Sequence, residues 1–166
     1  MNDRNENFWR TYQTVNEWTR FSDAKAGAVL TVYGVLYTLI YSNANDVYLA
    51  INSSKLICFF TVCCFIASFF SVYFAFKCVN PRLANPNPRS AIYFGHIAQN
   101  DDYNSYLTQA TTVFNSENQT SEHLAEQIFI NSTIAWKKFR NVCLSIRFFF
   151  AVVVLSILII LTYLLR

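Results

Sequence analysis

The chain has 166 residues, of which 54% are hydrophobic and 17% aromatic while only 14% are charged. Soluble domains average roughly 25% charge, so an ordinary cytosolic globule is excluded; a formal net charge of +3 with no basic run likewise excludes a nucleic-acid-binding signature. Gly and Pro number 3 each, which excludes collagen-like, linker-like and Gly-rich nucleotide-loop chains and favours helices over a β-barrel.

Residues 1–25 hold four acids and four bases. Phe8, Tyr12, Val15 and Trp18 recur at helical spacing and predict an amphipathic cytosolic N-terminal helix. No Pro or Gly precedes Gly27, so this helix is expected to run on into an apolar stretch. Charge-free runs at 26–45, 56–76 and 148–165 each have about the 20 residues needed to cross a hydrocarbon core. They predict three transmembrane helices, at 26–45, 56–78 and 143–165. None reads as a cleaved signal, because the first follows a polar segment without a cleavage region. A chain this short cannot wrap three all-apolar helices in polar cover.

Lys and Arg set the expected orientation. Arg4, Arg10, Arg20 and Lys25 precede the first span. Lys77, Arg82, Arg89, Lys137, Lys138, Arg140 and Arg147 lie between the second and third charge-free runs. The short 43–55 loop holds only Lys55, and only Arg166 follows the third span. The N-terminus and the 79–142 region are therefore expected in the cytoplasm, and the 43–55 loop and the C-terminus outside. The sequons at Asn52, Asn118 and Asn131 read as chance, since two of them are cytoplasmic in this topology.

After the second span, Asn80-Pro81 and Asn85-Pro86-Asn87-Pro88 predict a bend or linker, because each Pro disfavours α geometry in the residue before it. The run 91–98 is ambiguous between a short strand and a helical turn. Asp101 or Asp102 then caps a predicted helix whose Tyr103, Tyr106, Leu107, Ala110, Val113 and Phe114 form an apolar stripe. Residues 115–120 read as a polar loop. Thr120 or Ser121 caps the next helix, with Glu122 in its first turn. Leu124, Ile128, Asn131, Ala135, Phe139 and Val142 mark its inner face, and no breaker separates it from the third span. The expected fold is an all-α membrane protein: three transmembrane helices with a small helical cytosolic region, 79–142, formed partly by extensions of the spans. Such a region is near the lower size limit for a self-sufficient core, which predicts a homo-oligomer.

No catalytic or metal arrangement emerges. His96 and His123 are too few and badly spaced for a metal site, and no GxSxG, Walker A or GxGxxG is present. Cys58, Cys63, Cys64, Cys78 and Cys143 lie in or beside apolar segments without a CxxC spacing and read as small hydrophobes. The reading is not an enzyme, with no cofactor. Several polar residues are oddly placed. Asn131 falls within an apolar stripe, as a register-fixing amide or a ligand reader. Lys137, Lys138 and Arg140 flank the third span and could meet anionic lipid. Asp23 sits between Arg20 and Lys25, as an ion pair or a ligand contact. Tyr93, Phe94 and His96 are core or a stacking platform for a base.

Phe21-Ser22-Asp23-Ala24-Lys25-Ala26, Tyr93-Phe94-Gly95-His96-Ile97, and Glu126-Gln127-Ile128 with Asn131-Ser132 and Lys137-Lys138-Phe139 resemble, in order and spacing, the transmembrane Pycsar effector family. The resemblance covers nearly the whole chain. It implies a bacterial inner-membrane effector of antiphage defence, multi-pass with the N-terminus cytoplasmic. A functionally linked pyrimidine nucleotide cyclase would supply cyclic CMP or cyclic UMP, the cytosolic region would bind it, and inner-membrane integrity would then be lost. On that reading the phosphate meets a cation among Arg20, Lys25, Lys137 and Arg140. The base stacks on Tyr93, Phe94 or His96, and Gln127 or Asn131 reads its edge. Asp23 is a further candidate contact.

The competing reading is a constitutive membrane scaffold with no small-molecule ligand, in which Asn131 only fixes register. A channel or transporter is a third. The charge-free runs carry no ionisable residue other than Cys and Tyr, against the usual pattern of substrate paths, although Thr31, Thr38, Ser68 or Ser71 could line a pore between subunits.

Overall fold

The computed structural model describes residues 3–80 and 90–165. Every regular element among them is an α-helix: α1 (Asp3–Ser42), α2 (Ala44–Ser53), α3 (Lys55–Val79), α4 (Phe94–Ile97), α5 (Tyr103–Phe114) and α6 (Glu117–Leu164). Three of them, α1, α3 and α6, are long and apolar enough to cross a membrane. The all-α class expected from the sequence is the observed one.

Most helix limits follow from local chemistry. No Pro interrupts the 40 residues of α1. The Ser54 hydroxyl starts α3 by accepting from the Leu56 N–H at 3.3 Å. Asn80 ends it in an extended conformation (φ −61°, ψ 116°), as a residue before proline must. Asp102 Oδ1 accepts from the Ser105 N–H at 2.7 Å and caps α5 where an acid was expected. The proline-rich linker at 81–88, with Arg82 and Arg89, lies outside the described residues.

Three local expectations need correction. The 43–55 loop is mostly α2, because Val47, Ala50 and Ile51 share a half-buried face that packs on α3. The polar loop 115–120 shrinks to Asn115 and Ser116, since α6 starts at Glu117. Ser116 Oγ accepts from the Gln119 N–H at 3.4 Å, so the S-x-x-Q cap lies at 116–119 and not at Thr120 or Ser121. The ambiguous 91–98 run resolves as the single helical turn α4.

The chain divides into two compact units. The first comprises Phe21–Pro81 and Lys137–Arg166. Within it α3 runs antiparallel to its two partners. Cys78 Sγ meets the Ser22 carbonyl at 3.6 Å, and Cys64 Sγ lies 3.8 Å from Ser156 Oγ. Ser71 Oγ donates to the Ser145 carbonyl at 2.9 Å while Ser145 Oγ donates to the Ser71 carbonyl at 2.8 Å. The α1 and α6 segments of this unit run parallel, with Asp23 against Lys138 and Tyr33 edge-on to Phe149. Small residues fill the seams: Ala26, Ala75, Cys78 and Val142 form one buried cluster. Large ones face out, as with Phe65 at 69% exposure and Ile160 at 57%. A bilayer explains this inversion: lipid covers large side chains as well as protein does, so association rests on close packing and interhelical hydrogen bonds.

The second unit comprises Met1–Arg20 and Arg82–Trp136. Its α1 and α6 segments also run parallel, with Asn5 against Ser121 and Asn16 against Asn131. Thr120 Oγ1 donates to the Val113 carbonyl at 2.9 Å, tying α6 to the end of α5. Phe8, Tyr12 and Val15 are half-buried as expected, but Trp18 is exposed and Thr19 takes its place on the inner face. Along α5 the buried line is Ala110 and Val113 with Tyr106 beside it, whereas Tyr103, Leu107 and Phe114 are exposed.

Candidate ligand-binding site

The aromatic trio around α4 is partly structural. His96 is buried, and its Nδ1 accepts from the Ser90 N–H at 2.9 Å. That acceptor role requires an unprotonated Nδ1. Tyr93 stands edge-on to His96 with ring centroids 5.0 Å apart. Gly95 makes room for that ring: a Cβ there would lie 2.6 Å from Tyr93 Cε1. Phe94 is 67% exposed and is the member of the trio with a face to offer.

The amides behave differently from each other. Asn131 Nδ2 donates to Asn16 Oδ1 at 3.0 Å, a pairing of the register-fixing kind. Gln127 is 1% exposed, and neither its Nε2 nor its Oε1 has a partner. One turn earlier, buried His123 Nδ1 is also without one. An unsatisfied buried polar group costs about 1–3 kcal/mol, so this stretch of α6 stores a polar demand that its own unit does not meet.

The charged candidates separate clearly. Asp23 receives two hydrogen bonds from Lys138 Nζ, both at 2.7 Å. Side-chain exposure is 14% for the lysine and 38% for the acid. Lys138 thus belongs to an ion pair within the helix bundle and not to a lipid-facing flank. Sequence reasoning passed it over as the partner of Asp23 because Arg20 and Lys25 are nearer in the chain. Arg20, Lys137 and Arg140 are exposed, and the Lys25 ammonium rests 4.1 Å from the centre of the Phe21 ring.

The second unit holds a half-open cavity of about 680 Å³, a size typical of small-molecule sites. Trp9, Tyr106 and Phe114 supply aromatic wall, and Ala91, Ile92, Ile97 and Leu124 aliphatic wall. Its polar edge is Asn5, Glu117 and Thr120. Trp9 is held by stacking on Tyr12, centroids 5.6 Å apart. Asn5 is fixed at both ends: its Oδ1 accepts from Ser121 Oγ, and its Nδ2 donates to the Glu117 carbonyl at 3.5 Å. Arg4 donates to Asn118 Oδ1 at 2.8 Å, bringing a cation to the same turn of α6.

None of the residues predicted for the ligand lines this cavity. Sequence reasoning missed Asn5, Trp9 and Glu117 because they come from the first two turns of α1 and the first turn of α6, far apart in the chain. The one available signal was the polar Asn5 on the inner stripe of the first helix. The pore residues considered from sequence also divide. Ser68 and Ser71 are buried within the bundle, while Thr31 and Thr38 are exposed and bond their own helix at 3.0 and 2.9 Å.

Among protein families, the model described as Pycsar effector protein domain matches residues 7–165. Neither a curated protein nor a solved structure matches the chain.

Proposed function

Because the chain belongs to the Pycsar effector family of cyclic-nucleotide-signalled antiphage defence, we propose that it binds cyclic CMP or cyclic UMP and then breaches the inner membrane, arresting or killing the infected cell. It does so without catalysis or a cofactor. Its messenger comes from a pyrimidine nucleotide cyclase. It sits in the inner membrane as a homo-oligomer, with its N-terminus and the 79–142 sensor region in the cytoplasm.

The observation that carries this reading is the family match over nearly the whole chain. The aromatic-walled cavity between α1, the 91–97 stretch, α5 and α6 supports it. Stacking on one aromatic ring contributes about 1–3 kcal/mol per base, and charge-assisted hydrogen bonds about 1.5–3 each. Phe94 and Gln127, in the same unit as the cavity, remain proposed contacts for parts of the ligand outside it. Two helices, α1 and α6, carry both polar, cavity-lining residues and an apolar span without a break. A ligand that re-packs their polar ends therefore acts on the spans with no flexible joint between. Turning a 99% closed population into a 99% open one takes about 5.5 kcal/mol of differential binding, which several subunits can share.

The test is calorimetric titration of the full chain in detergent with cyclic CMP and cyclic UMP. It is paired with dye release from vesicles containing the protein. Binding of at least one, with release only in its presence, is expected. A scaffold would bind neither and release nothing, and that result overturns the proposal.

A further inference from the structure

Positive charge is gathered at one end of the unit formed by Phe21–Pro81 and Lys137–Arg166. Three contacts mark that end. Cys78 Sγ meets the Ser22 carbonyl at 3.6 Å, Asn141 Nδ2 donates to the Lys77 carbonyl at 3.4 Å, and Lys138 bonds Asp23. Around this level stand Lys25 on α1, Lys77 on α3, and Lys137, Arg140 and Arg147 on α6. Lys25 is half-buried and the other four are exposed. The acid at this end is Asp23, and Lys138 takes both of its oxygens at 2.7 Å. The unit's other acid, Asp46, lies in α2, which precedes the opposite end of α3. The five cations therefore have no acid of their own unit left to neutralise them.

Their spacing says what they fit. Arg147 immediately precedes the charge-free run 148–165. It stands at the edge of the hydrocarbon, where a long stem lies along apolar surface while its charge reaches out. Arg140 is two turns earlier on the same face, about 10.5 Å along the axis. A headgroup layer is about 5–8 Å deep on each side of the hydrocarbon. Arg147 reaches that layer from the hydrocarbon side and Arg140 from the water side. Cations set that far apart on α6, with Lys77 on another helix, do not converge on one small anion. A layer of phosphates meets each where it stands. Resting on the membrane placement proposed above, and not on any nucleotide, we infer that this collar is a docking surface for anionic phospholipid headgroups. A Lys or Arg beside an anionic leaflet gains roughly fivefold in association.

Spin-label resonance tests this on the full chain in phosphatidylcholine vesicles, with no nucleotide present. Trace spin-labelled phosphatidylglycerol and phosphatidylcholine report how much of each lipid is held at the protein. Phosphatidylglycerol is expected to associate at least about threefold more tightly at low salt. The preference should fall at 1 M salt, where the screening length is about 3 Å. Lys137→Gln, Arg140→Gln and Arg147→Gln together should bring the ratio close to one, while Lys55→Gln, at the opposite end of α3, should change it little. Equal association of the two lipids with wild type, or a preference that salt leaves intact, overturns the inference without any variant. So does an unchanged ratio in a triple variant of wild-type helical content, or an equal loss from Lys55→Gln. Each of these leaves the nucleotide-effector reading standing. Immobilisation of neither label overturns the collar and the membrane placement together.

Discussion

The two units bury polar groups in opposite ways. In the unit of Phe21–Pro81 and Lys137–Arg166, the buried serines at 71 and 145 satisfy each other's backbone, and Asp23 and Lys138 form a bidentate pair. The Tyr33 hydroxyl is the exception. In the unit of Met1–Arg20 and Arg82–Trp136, both ends of the Gln127 amide and one His123 nitrogen lack partners, and a cavity of about 680 Å³ lies open. The difference is one of polar satisfaction. Apolar close packing with satisfied polar seams gives one well-defined arrangement. Unsatisfied buried polar groups raise the energy of the arrangement that carries them.

Mutations can break or sharpen that contrast. The largest effect is expected from Ser145→Leu, which removes a reciprocal hydrogen bond and overfills a fully buried seam. It should cost about 3 kcal/mol, read from reversible unfolding in mixed micelles. An unchanged midpoint would mean the seam is not tightly packed. Asp23→Asn removes one member of the ion pair and leaves Lys138 facing an uncharged amide. Because Asp23 is over a third exposed, the cost should be about 1–2 kcal/mol in the same assay.

Gln127→Met carries the opposite sign. It keeps the volume, deletes the unpartnered amide, and should stabilise the chain by about 1 kcal/mol. A loss of stability would instead show that the amide has a partner, and the contrast between the units would weaken. Phe129→Ala gives the smallest effect, within about 0.5 kcal/mol, since that side chain is 74% exposed. A larger loss in the purified protein, dependent on protein concentration, would identify Phe129 as buried between copies.

Much of this was legible beforehand. Spans need only length and a lack of charge, so α1, α3 and α6 could be read from composition along the chain. The unbroken run of α1 followed from the absence of Pro, and the cap at Asp102 from its place before an apolar stripe. Short elements were harder. The helix α2 owes its half-buried face to α3, a neighbour that the 44–53 sequence does not name. The site was least legible. Asp23 was visible as an odd acid, yet its partner Lys138 lies 115 positions away, and only the parallel packing of α1 against α6 brings them together.

The sequence by itself determined that this is a three-span helical membrane protein with polar helix ends, because hydrophobicity, proline and capping act over a few residues. Only the tertiary structure decided where its remaining charge goes: Lys138 into an ion pair, Glu117 to the rim of a cavity, and Arg4 beside it. Those placements depend on which faces of distant helices meet, and that is settled by packing along the whole length of α1, α3 and α6.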